Sequence, residues 1–415
     1  MRLLVNDITV IGGGAAGMLA SCIAADNGAQ VLLLERNDRL GRKLSITGKG
    51  RCNLTNDCPV PDVLDNIPTG SRFLHSAING FNPKDVMSFF ESLKVPLKVE
   101  RGGRVFPLSD KASDIVYALE KHARDKGVNI NQCRALELIV DNGRITGVKT
   151  SMGVVDTSVV ILATGGKSYP DTGSTGDGYK MASDLGHSVT PLHASLVPLA
   201  ADPGICSRLQ GLTLKNVRLS IYDGGKKPVF EDFGELLFTH FGLSGPLTLS
   251  ASAHMRDFKG KRYYALIDLK PALDKEKLDQ RIQRDFIKYS NRNFSNALYD
   301  LLSKTLIPVI IEKSGISPGI KPHSISREQR LTLGSLLKSF RIDIIGPRPV
   351  EEAIITSGGI DLREVNPKTM ESKLVRGLFF AGEILDADAY TGGFNLQIAW
   401  STAYAAASAA TRFRG

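Results

Sequence analysis

A glycine-rich turn lies between an apolar run and a helix-like run near the start of the chain. Gly12-Gly-Gly14-Ala-Ala-Gly17 follows Ile8–Ile11 and opens Ala15–Asn27, and a second apolar run, Val31–Leu34, comes next. Glycines at this spacing in a β-α-β unit allow a tight turn, approach of the backbone to a pyrophosphate, and close packing of helix on strand. The pattern predicts a Rossmann-type dinucleotide site. The residues expected at the pyrophosphate are Gly12, Gly14, Ala15, Ala16 and Gly17.

An acidic residue closes the second strand of this unit. Glu35 stands where Rossmann sites carry a carboxylate that accepts hydrogen bonds from the adenosine ribose hydroxyls. The same carboxylate would repel the 2′-phosphate of NADP, so NADP is not expected here. Arg36 follows directly and is expected at the same end of the cofactor.

Three turns farther along the chain favour FAD over NAD. Leu162-Ala-Thr-Gly-Gly166 follows an apolar strand, Phe380-Ala-Gly-Glu-Ile-Leu-Asp386 follows the final strand, and Gly392-Gly-Phe-Asn-Leu-Gln397 opens the last helix. The second turn carries an acid of the kind that holds a ribityl chain. The third directs a helix N-terminus at the flavin, where the helix dipole stabilises negative charge. The residues assigned to FAD in these turns are Thr164, Gly165, Gly166, Gly382, Glu383, Asn395, Leu396, Gln397 and Ile398.

A basic, glycine-rich run follows the ribose acid. Residues 41–53 read Gly-Arg-Lys-Leu-Ser-Ile-Thr-Gly-Lys-Gly-Arg-Cys-Asn, with four cations and three glycines. A flexible backbone with clustered cations is typical of a loop that wraps an anion. We therefore expect Lys43, Gly50, Arg51 and Asn53 close to the cofactor or the substrate.

This run and four further blocks resemble one family of flavoproteins. The run is similar to the signature G-R-K-x-x-x-[ST]-G-x-G-R-C-N-x-T-N. The other matching blocks are Gly103–Pro107, Ser168–Tyr179, Leu237–Pro246 and Gly392–Gln397. The family includes BaiN-like reductases, aminoacetone oxidases and a ribosomal RNA dihydrouridine synthase. The chain departs from the family pattern at Lys49 and Ala406, both often glycine, and Lys49 is expected to alter the substrate opening.

The resemblance implies an α/β fold: a Rossmann-type, glutathione-reductase-like FAD-binding domain interrupted by an inserted β-barrel and a helical subdomain. The expected boundaries are 1–190 with 346–415 for the FAD domain, 191–250 with 335–345 for the barrel, and 251–334 for a basic helical subdomain. The helices predicted there are Lys275–Ser290, Ser295–Ile311 and Ser326–Phe340. The resemblance also implies that Leu136 meets the adenine through its backbone.

Candidate groups for catalysis and substrate binding come from the same blocks. Cys52 could donate a proton to a reduced double bond, since a thiol near a cationic loop has a lowered pKa, although a packed structural cysteine is the other interpretation. His240, before the turn Gly242-Leu-Ser-Gly245, could orient substrate or act as an acid, and a structural histidine is the alternative. Arg104 and Tyr169 are candidates for the substrate mouth. Neither a Ser-His-Asp arrangement nor a metal-ligand cluster is evident, so no metal is expected.

The positive charge of the chain is concentrated in one segment. The net charge is +9, and residues 256–341 contain 18 Lys or Arg and 9 Asp or Glu, which is 18 − 9 = +9. A basic segment on an otherwise neutral chain is typical of a protein with a polyanionic partner, whereas a merely solvated surface is the alternative.

Cysteine usage and hydropathy bear on the compartment. The five cysteines are dispersed without a CxxC pair, so thiols in a reducing compartment are expected. No run approaches the ~20 apolar residues that span a bilayer, and no signal peptide precedes the first strand. The expectation is a cytoplasmic protein without a membrane partner, and the sequence does not predict its oligomeric state.

Three functions are compatible with these observations. The first is hydride transfer through flavin N5 to the C5=C6 bond of a uridine in ribosomal RNA, favoured by the basic segment. The second is a small-molecule amine oxidase or enone reductase, and the third is a non-enzymatic, flavin-bearing RNA-binding factor. Gly173–Gly178 lacks a preceding strand, so NAD(P)H is expected only as a transient electron donor and not in a domain of its own.

Overall fold

The computed structural model describes residues 7–258 and 260–413, which form two compact units. The nucleotide unit comprises residues 7–195 and 350–413, and the inserted unit comprises residues 196–349. No helix in the described part of the chain is long and apolar enough to cross a membrane.

The strands are short, and most lie in sheets formed within one unit. Up to residue 195 they are β1 (Ile8–Ile11), β2 (Val31–Glu35), β3 (Thr55–Asn56), β4 (Leu97–Glu100), β5 (Arg104–Pro107), β6 (Asn129–Gln132), β7 (Ala135–Asp141), β8 (Arg144–Thr150), β9 (Gly153–Asp156), β10 (Val160–Leu162) and β11 (His193–Ser195). The later strands are β12 (Leu199–Ala201), β13 (Thr213–Tyr222), β14 (Phe230–Thr239), β15 (Gly242–Ser244), β16 (Tyr263–Asp268), β17 (Phe340–Pro347), β18 (Ile355–Ser357) and β19 (Leu378–Phe380).

The helices alternate with these strands at both ends of the chain. In the nucleotide unit they are α1 (Ala15–Asp26), α2 (Arg42–Gly50), α3 (Val60–Asp65), α4 (Ser71–Gly80), α5 (Pro83–Ser92), α6 (Ala112–Asp125) and α7 (Asp177–Ser183). The inserted unit contains α8 (Pro203–Cys206), α9 (Pro246–Ser252), α10 (Lys275–Lys288), α11 (Phe294–Ala297), α12 (Ile307–Ser314) and α13 (Arg327–Lys338). The final helix, α14 (Phe394–Arg412), returns to the nucleotide unit.

A five-stranded parallel sheet organises the nucleotide unit. Its strand order is β19-β10-β1-β2-β6, and all four neighbouring pairs are parallel. Four of these strands are buried along their whole length, which is why they read as continuous apolar runs. Since the carboxyl ends of parallel strands meet at one edge, the turns after β1, β10 and β19 lie together at that edge.

Three small antiparallel sheets accompany the parallel one: β7-β8-β9, β3-β5-β4 and the pair β11-β18. The hairpin between β7 and β8 turns at Asn142 and Gly143, whose φ angles are +49° and +73°. Both turn residues are left-handed, as a two-residue hairpin loop with the favoured twist requires. The local sequence Asp141-Asn-Gly143 supplies the residues that such a turn favours.

A buried histidine joins two segments of the nucleotide unit. His187 Nδ1 lies 3.1 Å from Glu364 Oε2, and its Nε2 lies 2.9 Å from Ser372 Oγ. The Ser372 hydroxyl accepts hydrogen bonds from the N–H groups of Leu374 and Val375, so its own proton is available to Nε2. That arrangement leaves Nδ1 as the donor to Glu364 and suits a neutral imidazole. Burial accordingly lowers the pKa of His187, against the raising effect of Glu364.

The inserted unit is built on a closed six-stranded barrel with strand order β12-β15-β14-β13-β16-β17. Alternate residues of its strands are buried, such as Val217, Leu219 and Ile221 of β13, and they share one core with the helices of the unit. This alternation is the pattern expected of a barrel with a filled interior. The predicted fold class, a Rossmann-type domain with an inserted barrel, is confirmed.

The two longest helices of the inserted unit, α10 and α13, begin at side-chain caps. Asp274 accepts a hydrogen bond from the Lys277 N–H at the start of α10, and Ser326 forms a capping box with Gln329 at the start of α13. The single helix predicted for Ser295–Ile311 is wrong. The chain instead forms α11 and α12, and Pro308 lies in the first turn of α12. Proline is tolerated in a first turn but would break the interior of the longer helix.

Candidate cofactor site

The turn after β1 leads into α1 without a side-chain cap. Gly12 has a φ of +106°, and a Cβ there would lie 2.5 Å from the Ala163 carbonyl oxygen. A Cβ on Gly17 would overlap the Gly12 carbonyl oxygen. At Gly14, the N-cap, a Cβ would meet no atom of the described chain within 4 Å, and no side chain there bonds to the first N–H groups of α1. Close packing at two glycines and open space at the third let an anion approach a helix N-terminus.

Glu35 is held beside this turn by three hydrogen bonds. Its Oε2 accepts from the Gly13 N–H at 2.7 Å, and its Oε1 accepts from the Asn37 N–H and Asn37 Nδ2, each at 2.7 Å. The residue is 8% exposed. The carboxylate is thus fixed next to the glycine turn, where ribose hydroxyls could share its oxygens, and its contact with ribose stays a prediction.

Two predicted cofactor residues carry polar atoms that are buried without a partner in the described part of the chain, Asn53 Oδ1 and Thr164 Oγ1. An unsatisfied buried polar atom costs about 1–3 kcal/mol, so such atoms call for an explanation. Thr164 stands in the turn after β10, which ends at the same sheet edge as β1. A polar ligand with hydroxyls, ring nitrogens and a pyrophosphate, as in FAD, could satisfy both atoms.

A carboxylate network lies in the turn after β19. Glu383 Oε2 accepts from Lys43 Nζ at 2.6 Å. Its Oε1 accepts from the Ser168 hydroxyl at 3.0 Å and the Thr356 N–H at 2.9 Å. A Cβ on Gly166 would lie 2.7 Å from Glu383 Oε1, so that glycine makes room for the carboxylate. The network fixes Glu383, and with it the turn that the sequence assigned to the ribityl chain.

The last helix also begins without a side-chain cap. Its N-cap, Gly393, has a φ of +101°, and a Cβ there would overlap the Thr55 carbonyl oxygen. Asn395 accepts a hydrogen bond from the Ala389 N–H and donates one to the Ala389 carbonyl, which ties the preceding loop to the helix. The N–H groups of the first turn, including that of Leu396, are left for a ligand.

The side chain of Gln397 makes its hydrogen bonds inside the nucleotide unit. The residue is fully buried. Its Oε1 accepts from the Thr55 hydroxyl, and its Nε2 donates to the Phe81 carbonyl and the Ser401 hydroxyl. The side chain therefore supports α14 from within, and Ile398 is likewise buried in an apolar cluster. Of the four predicted residues, Asn395 and Leu396 are the ones left partly exposed at the helix start.

Two predicted cofactor arginines are engaged with acidic side chains. Arg36 lies 3.1 Å from Asp177, which also pairs with Arg134 at 2.8 Å. Arg51 makes two hydrogen bonds to Glu100, at 2.8 and 3.0 Å, and stacks over the Phe106 ring at 4.0 Å. The Arg51 guanidinium therefore contacts side chains of the β4–β5 hairpin and does not face an open site.

The remaining cofactor candidates lie at irregular points of the backbone. Gly50 has a φ of +82° with no described atom within 4 Å of a Cβ, and Leu136 is 46% exposed at a register shift in β7. The run predicted as a loop begins as the helix α2 and leaves helical geometry at Thr47–Lys49. Lys49 has a φ of +60°, a left-handed conformation that glycine adopts without steric cost.

Cys52 does not have the environment expected of a proton donor. It is fully buried, with a φ of +60°, and burial raises the pKa of its thiol to about 12 despite a hydrogen bond with Thr47. The cationic run therefore does not lower this pKa, contrary to the expectation. His240 lies in the inserted unit, exposed after β14, with its ring edge-to-face against Phe241.

The two candidates for the substrate mouth lie in the nucleotide unit. Arg104 is exposed at the start of β5, 3.6 Å from Glu100 and over the Phe106 ring at 5.7 Å. Tyr169 has a φ of +53° and is partly exposed. Within the described residues, no group of three or more His, Cys, Asp or Glu could hold a metal ion.

Three polar residues of the nucleotide unit were not predicted from the sequence. Ser168 and Thr356 hold Glu383 through the hydrogen bonds to its Oε1. Asp388 is fully buried, and its two oxygens accept from the hydroxyls of Ser195 and Ser357 at 2.9 and 3.0 Å. Ser168 is the first residue of one of the sequence blocks shared with the family, and that position could have indicated a role in the site. Nothing in the local sequence distinguishes Thr356 from an ordinary strand residue.

Comparison with known proteins agrees with this geometry. Residues 6–409 match the family described as HI0933-like protein Rossmann domain. A 3-dehydro-bile acid delta(4,6)-reductase of Clostridium scindens is 30% identical over 98% of this chain and 99% of its own length. A ribosomal RNA dihydrouridine synthase of Escherichia coli is 31% identical over 97% of each chain. Among solved structures, a 3-ketosteroid-delta4-(5alpha)-dehydrogenase from Rhodococcus jostii aligns over 99% of this chain and 98% of its own, with a TM-score of 0.55 at 16% identity.

The site and the family lead to the same assignment. The uncapped helix starts, the fixed carboxylates and the unsatisfied polar atoms fit FAD, and the relatives span nearly the whole chain. The structural likeness supports the fold. The expected cofactor and enzyme class are confirmed: this chain belongs to the HI0933-like family of FAD-dependent oxidoreductases.

Proposed function

We propose that this oxidoreductase reduces the C5=C6 double bond of a uridine in ribosomal RNA. Two relatives, from Escherichia coli and Haemophilus influenzae, are named ribosomal RNA dihydrouridine synthase and are 31% and 29% identical to this chain. Dihydrouridine differs from uridine by hydrogen added across that bond, which is a reaction a flavin can carry out.

The observation that carries the proposal is the distribution of charge. The whole net charge of +9 falls within residues 256–341, which belong to the inserted unit. Phosphate contacts provide most of the affinity of a protein for nucleic acid. A small apolar substrate would give no physical reason for this surplus.

The residues of the nucleotide unit hold and orient the cofactor. The first turn of α1 would hold the pyrophosphate, Glu35 would hold the ribose, and the first turn of α14 would lie at the flavin ring. When bound, FAD supplies a hydride from N5 to the acceptor carbon. The Lys43–Glu383 pair fixes the turn after β19 on the ribityl side.

The reaction also needs a proton at the second carbon of the double bond. Cys52 is fully buried, and a pKa of about 12 makes its thiol a poor match for acid catalysis near neutral pH. His240 is exposed, and imidazole is the side chain suited to proton transfer in that pH range. His240 therefore stays the candidate for the proton donor that the sequence offers.

A second candidate is reduction of a small enone. The Clostridium scindens relative, named a reductase of a 3-dehydro-bile acid, is 30% identical over nearly the full length, almost the same as the RNA-modifying relatives. In both functions NAD(P)H is the proposed source of electrons. The cytoplasmic location stays a prediction.

The test is to delete the gene in its host and to quantify dihydrouridine in ribosomal RNA nucleosides by mass spectrometry. The wild-type gene should restore the nucleoside, and a Gly14→Val gene should not, because the added side chain would fill the space over the first turn of α1, where a Cβ meets no described atom within 4 Å. Gly80→Val is the matched control, since Gly80 also faces open space but lies at the end of α4. An unchanged dihydrouridine level in the deletion strain would contradict the RNA proposal and favour the enone reductase.

A further inference from the structure

One face of α10 carries a line of cations. Lys277, Arg281, Arg284 and Lys288 follow spacings of four, three and four residues. At about 100° per residue, these spacings place the four side chains within roughly 60° of one another around the helix. The apolar residues of α10, such as Ile282, are buried in the core of the inserted unit, so the helix turns a charged face outward.

The line continues beyond the end of the helix. The Lys288 ammonium and the Arg292 guanidinium lie over the Tyr289 ring, 4.9 and 5.1 Å from its centroid. Lys321, from a separate segment, donates to the Asn291 carbonyl at 3.0 Å, which attaches a further cation to the same end. We call Lys277, Arg281, Arg284, Lys288, Tyr289, Arg292 and Lys321 the α10 basic surface.

Three carboxylates offset part of this charge. Asp274 pairs with Lys277 at 3.1 Å, Asp285 with Arg281 at 2.9 Å, and Asp300 with Lys288 at 2.7 Å. Six cations and three carboxylates leave 6 − 3 = +3 on the surface.

The net positive charge of the α10 basic surface lies on Arg284, Arg292 and Lys321. Across the residues that the structure describes, no carboxylate lies within ion-pair distance of Arg284, Arg292 or Lys321. All three side chains are exposed. Cations without carboxylate partners are free to neutralise the phosphates of a ligand.

We propose that the α10 basic surface binds a single strand of RNA, with phosphates along the α10 cations and a base against Tyr289. The inference rests on the proposed function and names the docking surface for that substrate. A cation-flanked aromatic ring suits a nucleic acid strand, because bases stack on aromatic rings while lysine and arginine follow the backbone. An anionic lipid surface would instead require an exposed apolar face beside the cations, and on α10 the large apolar side chain left exposed is Ile287.

The experiment measures binding of a fluorescein-labelled single-stranded RNA of mixed sequence to the FAD-loaded protein, by fluorescence anisotropy over a series of KCl concentrations. The principal variant is Arg284→Gln/Arg292→Gln/Lys321→Gln. The matched control, Lys226→Gln/Lys227→Gln/Lys313→Gln, removes three exposed cations elsewhere in the same unit. Arg284→Gln alone guards against misfolding of the triple variant, because the Arg284 side chain is exposed and pairs with no carboxylate of the described residues. Flavin absorbance and the unfolding midpoint verify that each variant is folded.

The slope of the logarithm of the RNA association constant against the logarithm of the salt concentration should be shallower by about 2 in the triple variant. This change corresponds to three lost phosphate contacts at roughly 0.7 each on a single strand. Extrapolated from 1 M to 0.1 M salt, that slope change corresponds to about 100-fold weaker binding. Arg284→Gln alone should lose about 0.7 of the slope. Equal effects of the triple variant and its control, or none from either, would overturn the proposal.

Tyr289 distinguishes RNA from another polyanion. Tyr289→Leu should weaken RNA binding by about 5- to 150-fold, the range for loss of one stacked base, while Tyr289→Phe retains the ring and the affinity. Vesicles containing phosphatidylserine should bind weakly and without dependence on Tyr289. An unchanged affinity of Tyr289→Leu for RNA would contradict a base at this position and with it the assignment to RNA.

Different results would contradict the proposed docking surface and the proposed function. If wild-type protein forms dihydrouridine in ribosomal RNA and the triple variant does so equally well at 0.1 M salt, the docking surface is wrong and the function stands. If the triple variant loses RNA binding but the deletion strain retains dihydrouridine, the surface stands and the uridine reductase is wrong.

Discussion

Gly178→Ala is expected to disturb the cofactor site through a single added methyl group. Gly178 lies in α7, and a Cβ there would overlap Thr164 Oγ1 and lie 2.8 Å from Ile384 Cδ1. Thr164 is also one of the residues whose buried hydroxyl has no partner in the described part of the chain. The substitution therefore displaces the turn after β10 at the point where we expect the cofactor.

The magnitude follows from two opposed effects. Overpacking of a filled site costs about 1–3 kcal/mol, and replacing glycine by alanine in a helix recovers up to about 1 kcal/mol. The net loss for Gly178→Ala is then about 1–2 kcal/mol in the free energy of unfolding. Thr164→Ala removes the overlapping oxygen, and the next atom of residue 164, its Cβ, lies 3.1 Å from the position of the added methyl group. The double variant should therefore recover about 1 kcal/mol relative to the sum of the two single variants.

The assay is urea denaturation of the FAD-free protein for wild type, both single variants and the double variant, followed by fluorescence titration with FAD. Thr164→Ala should cost little stability, because the hydroxyl makes no hydrogen bond within the described chain, but it should weaken FAD binding if that hydroxyl meets the cofactor. Strict additivity of the two single variants would refute the predicted contact between residues 164 and 178. Unchanged FAD affinity of Thr164→Ala would refute the role of the hydroxyl.

The other predictions concern single groups. Lys43→Met should lower the free energy of unfolding by about 2 kcal/mol, because it removes a charge-assisted hydrogen bond from the mostly buried carboxylate of Glu383. The same substitution should cost less in a Glu383→Gln background. Equal costs in the two backgrounds, measured by urea denaturation, would contradict the pairing. Cys52→Ala should lower kcat by far less than the ~100-fold that loss of a general acid produces, with unchanged FAD content. A loss of ~100-fold in steady-state kinetics would make Cys52 the proton donor after all. Because the pKa of His187 is lowered in the folded state, its contribution to stability is present above the unfolded pKa of about 6.5 and is lost as the pH falls. His187→Asn should flatten the fall in unfolding midpoint between about pH 7 and pH 5, and an unchanged slope in thermal melts would argue against this source.

The sequence predicts the parts of the fold that depend on local pattern. The strand-turn-helix start at Ile8–Asp26, the hairpin at Asn142 and the capping box at Ser326 follow from residues within a few positions of one another, and each is present. The helical periodicity of Ser295–Ile311 does not report the break between α11 and α12, although Pro308 marks the start of the second helix. The closed barrel came from family resemblance rather than from periodicity, since closure depends on pairing between distant strands.

The site was predictable where a residue meets the cofactor through its backbone and less so where side chains meet one another. The glycines of the first turn carry their function in their spacing. The Lys43–Glu383 pair joins residues at opposite ends of the chain, and no local pattern reports such a contact. Burial raises the pKa of the Cys52 thiol and keeps the Gln397 side chain inside the protein. Whether a given position is buried depends on the whole fold.

The inserted unit is attached to the nucleotide unit by strands that already lie side by side. β11 pairs antiparallel with β18, and Ser195, the last residue before the insertion, stands opposite Ile355. A short turn could therefore join these strands in place of residues 196–349, since closing a loop between adjacent ends costs little entropy. Because both ends of the insertion leave from one pair of adjacent strands, the nucleotide unit can be rejoined there without rebuilding its sheets. The same junction gives a practical site for grafting the inserted unit of one relative onto the nucleotide unit of another.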